Sequence, residues 1–413
     1  MSRGIGSIFT LFRGLLLQGN IRVLATTSLI TGSYLSMLNV TMQQFVLSLG
    51  LGLPVLGLLQ ALGNRPWGLS SSLIQPFAGH YADIFGRKFI IVLGSAVSIL
   101  SMVFFLLAAT THSWPALVIA FLLYGLALLS SPASQAVIAE SVNLHPEKMG
   151  VAFTTVFFFT SIPGALTAFV AGVVADALGY YLLFAAALLL EGANLIILLT
   201  KLKETRATDR SSVKLGRRTS FSIRDAVKIP SGFLGFFATF ATDAFSFSIT
   251  SSILYGMLVK QYGYSNTDIG LIGGTLSFAI ILAQYPAARF LLRVGPKSSL
   301  AFSEFLSVLL LLGWNLASSL SFFVLLSILF GISIATWVPA QASLMMTHAP
   351  PEERGSLGGK LAAFRGLATF PAPIIGGVLF DNFGYHAPIT MSFVGIVLAL
   401  LMIIKLLPDK AAT

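Results

Sequence analysis

The stretch GHYADIFGRK, residues 79–88, separates two long apolar runs with a turn, an acid and a basic pair. Gly86 admits the positive φ that a tight turn between two helices needs, and Gly79 lets a neighbouring backbone come close. Asp83, at the end of the first run, is placed to meet the positive N-terminus of another helix. Such a contact would hold that end of the molecule shut until it is broken. Arg87 and Lys88 start the next run from a basic edge. On each side the chain stays apolar for more than the ~20 residues that a bilayer crossing requires.

Composition agrees with that reading. Of 413 residues, 56% are hydrophobic and 10% charged, with a mean hydropathy of +0.88; a soluble domain carries about 25% charged residues. The net charge of +10 would suit nucleic acid, but no basic stretch alternates with stacking aromatics. The Lys and Arg cluster between apolar runs, which is the pattern of membrane topology. Cysteine is absent, which excludes disulfides, thiolate metal sites and a cysteine nucleophile. His80, His112, His145, His348 and His386 all fall at segment ends or in loops, so no metal and no cofactor is expected. No Gly-x-x-x-x-Gly-Lys-Ser/Thr string for ATP occurs.

In chain order, residues 1–20 set Arg3 and Arg13 among Ile5, Phe9, Phe12 and Leu15, the pattern of a basic amphipathic helix on the inner leaflet. No cleavage site follows it. Apolar runs predict spans at 21–48, 55–82, 88–109, 115–141, 150–175 and 180–200, then at 232–259, 268–291, 297–317, 320–347, 355–380 and 385–407. Of the 25 Lys and Arg, only Arg65 and Arg365 lie deep inside spans and only Lys260 in an odd-numbered loop, the rest sitting in the other loops or at the span ends beside them. The positive-inside rule therefore puts both termini in the cytoplasm. The expected divisions are a cytoplasmic segment 1–20, a six-helix bundle 21–200, a basic flexible linker 201–231, a second six-helix bundle 232–407 and a cytoplasmic tail 408–413.

The two halves repeat each other. GVVADALGY, 172–180, returns as GVLFDNFGY, 377–385, with Asp176 matching Asp381; PEKMG, 146–150, returns as PEERG, 351–355. Pro132-Ala133 returns as Pro339-Ala340, and Gln75 to Gly86 equals Gln284 to Gly295 in length. Ordered recurrence near half the chain, with six spans per copy, means that both halves share one orientation, as in carriers built from parallel repeats.

The pattern Gly-x-x-Ala-Asp-x-x-Gly-Arg-Lys, in a chain so duplicated, resembles the loop between helices 2 and 3 of the major facilitator superfamily. The resemblance covers the chain after residue 20. It implies an all-α membrane protein of twelve transmembrane helices in two pseudo-symmetric six-helix bundles, a mid-membrane cavity opened alternately to each face, and a gate made by Gly79, Asp83, Gly86, Arg87 and Lys88. It also implies that helices 1, 7 and 11 border the cavity while helix 6 lies outside it. Three departures are visible. Ile84 stands where the family usually has a basic residue, and the second copy of the loop has Leu292 where the first has Asp83. Pro373-Ile-Ile-Gly376-Gly377 in helix 11 looks like the motif that exporters of the family carry in helix 5, where this chain has only Pro163-Gly164.

A charge at bilayer centre costs about 2.5–3.5 kcal/mol on insertion scales, so each demands a partner, water or a purpose. Four stand out: Arg65, Glu191, Asp243 and Arg365. Asp243 and Arg365 both lie about 15 Å from the cytoplasmic ends of their spans at 1.5 Å per residue, and they can pair. Thr239, Asp243, Ser246 and Thr250 share one helical face, as do Gly358, Ala362, Arg365 and Thr369, and Ser28, Gly32, Ser36, Asn39 and Gln43. These stripes either line the cavity or pack helices together; Asn39 and Gln43 are read as cavity lining. Asp243 is the first choice for proton coupling, against a permanent ion pair with Arg365. Arg65 suits a carboxylate or phosphate of a substrate, with Trp67 stacking on a ring, or else snorkels. Glu191 is a second carboxyl for proton coupling or a packing residue, and Glu304 is expected to pair with a loop cation.

Gly68-Leu69-Ser70 begins a serine-nucleophile-like string, but position 72 is Ser and no histidine lies at its depth, so no catalytic residue is assigned. The expectation is a monomeric secondary transporter of the plasma membrane that moves a small-molecule substrate, with H+ as coupling ion. Proton-driven export of amphipathic compounds leads, on the 34 Phe, the lone Asp expected in the cavity and the incomplete exporter motif. Symport or exchange of a small organic anion or zwitterion is the alternative, on the two intramembrane Arg, and a transport-dead membrane receptor is the remote one.

Overall fold

A computed structural model describes residues 19–65, 67–142, 146–205, 229, 232–348 and 354–408. The amphipathic segment before residue 19, Pro66, His145, the linker between 206 and 231 apart from 229, Pro351 to Glu353 and the tail beyond 408 lie outside the described residues.

Regular structure among the described residues is helical throughout. The first half contains α1 (Gly19–Ser48), α2 (Leu53–Gly63), α3 (Leu69–Phe85), α4 (Arg87–Thr111), α5 (Trp114–Leu126), α6 (Ser130–Ser141), α7 (Pro146–Leu178) and α8 (Tyr180–Lys201). The second contains α9 (Leu234–Ser251), α10 (Leu254–Tyr262), α11 (Asn266–Val294), α12 (Pro296–Leu316), α13 (Leu320–His348), α14 (Arg354–Thr369), α15 (Ala372–Phe383) and α16 (His386–Leu406). Ten continuous or nearly continuous stretches are long and apolar enough to cross a bilayer. The other two spans, the second and the seventh, are each assembled from a pair of helices, α2 with α3 and α9 with α10, which makes twelve.

The interruptions are where structure departs from the continuous apolar runs. Span 2, expected unbroken over 55–82, breaks at Asn64–Gly68. Non-helical backbone at membrane depth survives only where its polar groups find partners inside the protein. Here Ser70 Oγ donates to the Leu62 carbonyl at 2.7 Å and Ser71 Oγ to that of Asn64 at 3.0 Å. Span 7 breaks between α9 and α10. Gln43, on α1, spans that gap by donating Nε2 to the Ser252 carbonyl at 3.0 Å and accepting the Gly256 N–H at 2.8 Å. Span 11 breaks after Thr369, and α15 restarts behind Pro371.

Each half packs as a six-span bundle, and the halves meet along two seams, α7 on α11 and α2–α3 on α14–α15. The two seams exchange under the internal repeat. Gly172 of α7 abuts the Asn266 carbonyl at the start of span 8, and its counterpart Gly377 of α15 abuts the Leu53 carbonyl at the start of span 2. No side chain fits at either place. Asp176 caps span 8: Oδ1 accepts the Asn266 N–H at 3.1 Å and its Nδ2 at 2.7 Å, while Oδ2 accepts the Thr267 N–H at 2.8 Å and its hydroxyl at 2.6 Å. Its counterpart Asp381 stands 3.6 Å from where a side chain at Gly52 would begin, beside the start of α2.

These contacts all sit at the end away from the basic loops. At the basic end, among the described residues, Gly358 and Gly359 of α14 have no atom of another element within 4 Å of where a side chain would start, and Gly79 meets only Pro132 of its own half. The halves are therefore closed at one end and splayed at the other.

Candidate functional site

Between the halves lies a cavity of ≈ 530 Å³. Span 1 lends it Ser36 and Asn39, the broken span 2 lends Asn64, Arg65 and Trp67, and span 4 lends Tyr124. From the other half come Asp243, Phe247 and Tyr255 of span 7, Glu304 and Trp314 of span 9, Phe330 and Trp337 of span 10, and Arg365 of span 11. Aromatic rings come from both halves, Trp67 and Tyr124 from the first and Phe247, Tyr255, Trp314, Phe330 and Trp337 from the second, set among serines and aliphatic side chains.

One charged cluster interrupts it. Arg365 Nη2 lies 3.5 Å from Asp243 Oδ2, and both side chains are almost wholly buried. Arg365 Nη1 donates to Gln341 Oε1 at 3.2 Å. Its guanidinium carbon is 3.9 Å from the Trp67 ring and 4.9 Å from the Trp337 ring, distances at which cation–π attraction operates. The pair expected from depth alone is formed. Trp67 stacks on the guanidinium rather than on a substrate ring.

The stripe on span 7 is rotated from the expected face. Asp243 opens into the cavity with Phe247 and Ser251, four and eight residues on. Thr250 instead hydrogen-bonds Ser392 of α16 at 2.8 Å, and Ser246 packs against Gly395. Small residues on span 12 drew these hydroxyls sideways. On span 11, of the four residues in the stripe only Arg365 reaches the cavity. Span 1 follows expectation more closely. Ser36, Asn39 and Gln43 border the main cavity, Ser28 a side pocket, and Gly32 packs on the Thr160 backbone of span 5. Gln43, however, is occupied by the break in span 7.

Arg65 is tied down within its own half. Nε donates to the Tyr124 carbonyl at 2.5 Å, Nη2 to Ser98 Oγ at 3.2 Å, and the guanidinium lies 4.2 Å from the Tyr124 ring. Beyond it a pocket of ≈ 370 Å³ runs among spans 1, 3, 4 and 6 and contains Glu191. Helix 6 was expected to lie outside the cavity between the halves, and it lends that cavity no residue; Glu191 faces this side pocket. It accepts hydrogen bonds from Ser95 Oγ at 2.5 Å and Asn194 Nδ2 at 3.1 Å.

Glu304 is the residue that the linear pattern misplaced. Its position near a span end pointed to a loop cation, but it is 1% exposed and accepts the Trp337 indole N–H at 3.0 Å. A carboxylate in an apolar span, at a helical step from Ser307 and three residues from Ala301, carried that signal only weakly.

In the loop at 79–88, Gly86 adopts φ of +102°, as the turn requires. Asp83 pairs with Arg87 four residues on, and Arg87 reaches Glu140 of α6 at 3.3 Å. The helix start that is capped here is that of α4, by Glu204, which accepts the N–H groups of Arg87 and Lys88 at 3.0 Å each. Lys88 Nζ donates to the Leu199 carbonyl at 2.7 Å. Among the described residues the loop's contacts thus stay within its own half, and Asp83 does not reach the other.

The sequence matches the profile of the Major Facilitator Superfamily over residues 24–257 and 235–413. The chain belongs to this superfamily. Among its superfamily relatives, the multi-drug resistance efflux pump PmrA of Streptococcus pneumoniae is 25% identical over 378 residues, 90% of this chain and 91% of that protein. The multidrug resistance protein MdtG of Enterobacter lignolyticus is 26% identical over 365 residues, 87% and 85% of the two chains. Solved superfamily structures share the fold at low identity. A D-xylose–proton symporter aligns with a TM-score of 0.71 at 16% identity, covering 94% of this chain and 97% of its own. The human organic anion transporter MFSD10 aligns at 0.68 and 17%, covering 93% and 98%. The protein is thus a multi-pass membrane protein with the fold of a transporter.

Proposed function

We propose that the protein is a proton-coupled carrier that exports amphipathic organic compounds by alternating access, with its basic end and both termini in the cytoplasm of the cell and a single chain as the working unit. The observation that carries this reading is a cavity between the halves that sets aromatic faces from both of them beside a compact Asp243–Arg365 cluster. Aromatic faces hold apolar bodies of many shapes, and a buried ion pair gives a compound or a proton something to displace. Relatives named as multidrug efflux pumps support the same direction. Open toward the basic end as here, the cavity takes up its load. Rocking of the bundles, with loss of the Asp176 contacts at one end and closure of the Gly79–Lys88 gate at the other, would then present it to the opposite face. Asn39 is the proposed contact for the load and Gln43 the fixed edge beside it, Asp243 the first proton carrier and Glu191 the second; Arg65 and Arg365 become contacts for the load only under the anion reading.

The organic-anion reading needs an arginine free to take a carboxylate. Arg365 already has Asp243 beside it, and Arg65 is held by Tyr124 and Ser98, which favours the export reading. In vesicles holding purified protein, an imposed proton gradient should drive ethidium transport, and Asp243→Asn should reduce that flux to the level of empty vesicles. Unchanged gradient-driven flux in Asp243→Asn removes Asp243 from the mechanism. Absence of flux in the unaltered protein across a panel of amphipathic compounds removes the export reading itself. Arg65→Gln separates the alternatives: loss of transport of a small organic anion supports the anion reading, retained ethidium transport supports export.

A further inference from the structure

Glu304 and Trp67 have roles that neither the family fold nor the Asp243–Arg365 pair explains. One Glu304 oxygen accepts the Trp337 indole N–H. The other, Oε2, is buried with no donor among the described residues. It borders the same cavity as the Asp243 carboxyl, and Trp337, which bonds the other Glu304 oxygen, lies against the guanidinium that pairs with Asp243. Two carboxyl oxygens bond one another only through a hydrogen, so a direct contact between them carries one proton for the pair. Charge leads to the same count. Two ionised carboxyls beside one guanidinium leave a net negative charge among buried side chains, which is costly, and a single proton brings the sum to zero. Of the walls packed around them, span 7 supplies Asp243, span 9 Glu304 and span 11 Arg365, whereas span 10 supplies Trp337 and Gln341 and span 2 supplies Trp67, none of which titrates.

Trp67 comes from the opposite half of the molecule. It stands at the break in span 2 with its ring 3.9 Å from the Arg365 guanidinium carbon, and the Trp337 ring lies 4.9 Å from the same carbon. Next along span 11, Gly366 packs on Ser72 of the same broken span. Sliding of one half past the other therefore moves an indole off the guanidinium that neutralises the carboxyl pair.

We propose that Asp243 and Glu304 together hold the coupling proton and that Trp67, stacked on Arg365 from the other half, ties release of that proton to movement of the halves. This rests on the reading of the protein as a proton-coupled carrier. The exchange balances for a monovalent organic cation. As the cation enters, the carboxyl O–H bond breaks, its electron pair stays on oxygen and the proton passes to cavity water. Two carboxylates then face one guanidinium and one bound cation, and the net charge of the site is again zero.

The test uses tetraphenylphosphonium with the detergent-solubilised full chain in weak buffer, reading protons released by an indicator dye against probe bound. The unaltered protein should release roughly one proton per bound cation, as the charge balance requires. Glu304→Gln should abolish release per bound probe, and Glu304→Asp should restore it with a displaced pH midpoint. Release from Glu304→Gln equal to that of the unaltered protein would assign the proton to Asp243 alone and overturn the inference, with the export reading intact. Binding without any release in the unaltered protein would instead end proton coupling as such. Should Glu304→Gln fail to fold, Glu304→Asp decides, since an unmoved midpoint counts against Glu304. In vesicles, Trp67→Leu should lower the ratio of gradient-driven to counterflow transport about tenfold, within the range that a desolvated cation–π contact supplies. An unchanged ratio overturns the link to movement.

Discussion

Gln43 and Asn39 lie four residues apart on one face of α1, and they do different work. Gln43 is buried and joins two backbone groups on either side of the break in span 7. Asn39 has no hydrogen-bond partner among the described residues and stands open to the cavity. Removing the Gln43 amide strands a buried carbonyl and a buried N–H, each costing about 1–3 kcal/mol. Gln43→Ala should therefore lower the thermal unfolding midpoint of the detergent-solubilised protein by several degrees. Asn39→Ala should leave that midpoint in place and alter the affinity for a transported compound in a binding titration. Equal midpoints for the two variants would reverse the distinction. Four residues of spacing could announce that both faced the same way, but only the neighbouring break shows which of them is already engaged.

At the scale of the element, broken spans are what build this site. Trp67 and Arg65 reach opposite sides of the cavity because span 2 stops being helical at Asn64–Gly68, and the hydroxyls of Ser70 and Ser71 make the stop tolerable by bonding the freed carbonyls. Pro66 in the linear order announces a disturbance, while the serines that answer it read as ordinary small residues. Replacing both, Ser70→Ala with Ser71→Ala, removes partners from buried carbonyls. The loss should fall on the site more than on the fold. We expect weaker ethidium binding by isothermal titration, with helix content by circular dichroism unchanged. Ethidium affinity equal to that of the unaltered protein would show that the break needs no hydroxyl support. Element boundaries elsewhere were legible to within a few residues, since apolar length is summed along the chain.

For the whole molecule, the end opposite the basic loops is closed by Asp176, which satisfies the first N–H groups of span 8 across the seam between halves. An anionic cap on a helix start contributes about 0.5–2 kcal/mol when compared with alanine. Asp176→Ala should shift the balance of states toward opening at that end. Because the chain has no cysteine, a single introduced thiol reports this directly. With Ser251→Cys in the cavity wall, a membrane-impermeant maleimide added from the side of that end should label the Asp176→Ala background several-fold faster. Equal labelling rates would mean that the glycine seam at Gly172 and Gly377 holds the closure without the cap.

Hydropathy, the one-sided distribution of Lys and Arg and the recurrence of GVVADALGY as GVLFDNFGY were enough for twelve spans and two like-oriented halves, and the pattern at residues 79–88 carried the resemblance to the superfamily. Those properties are local or add up residue by residue, so they can be read without knowing any neighbour. The depth of Asp243 and Arg365 was determined in the same way, by counting rise along a helix. Tertiary structure alone decided that Glu304 enters the cavity, that Ser246 and Thr250 turn away from it toward span 12, and that Trp67 crosses to the other half. The rotation of a helix about its axis is set by where its neighbours are small enough to admit it, as Gly395 admits Ser246, and that information is carried by a different span.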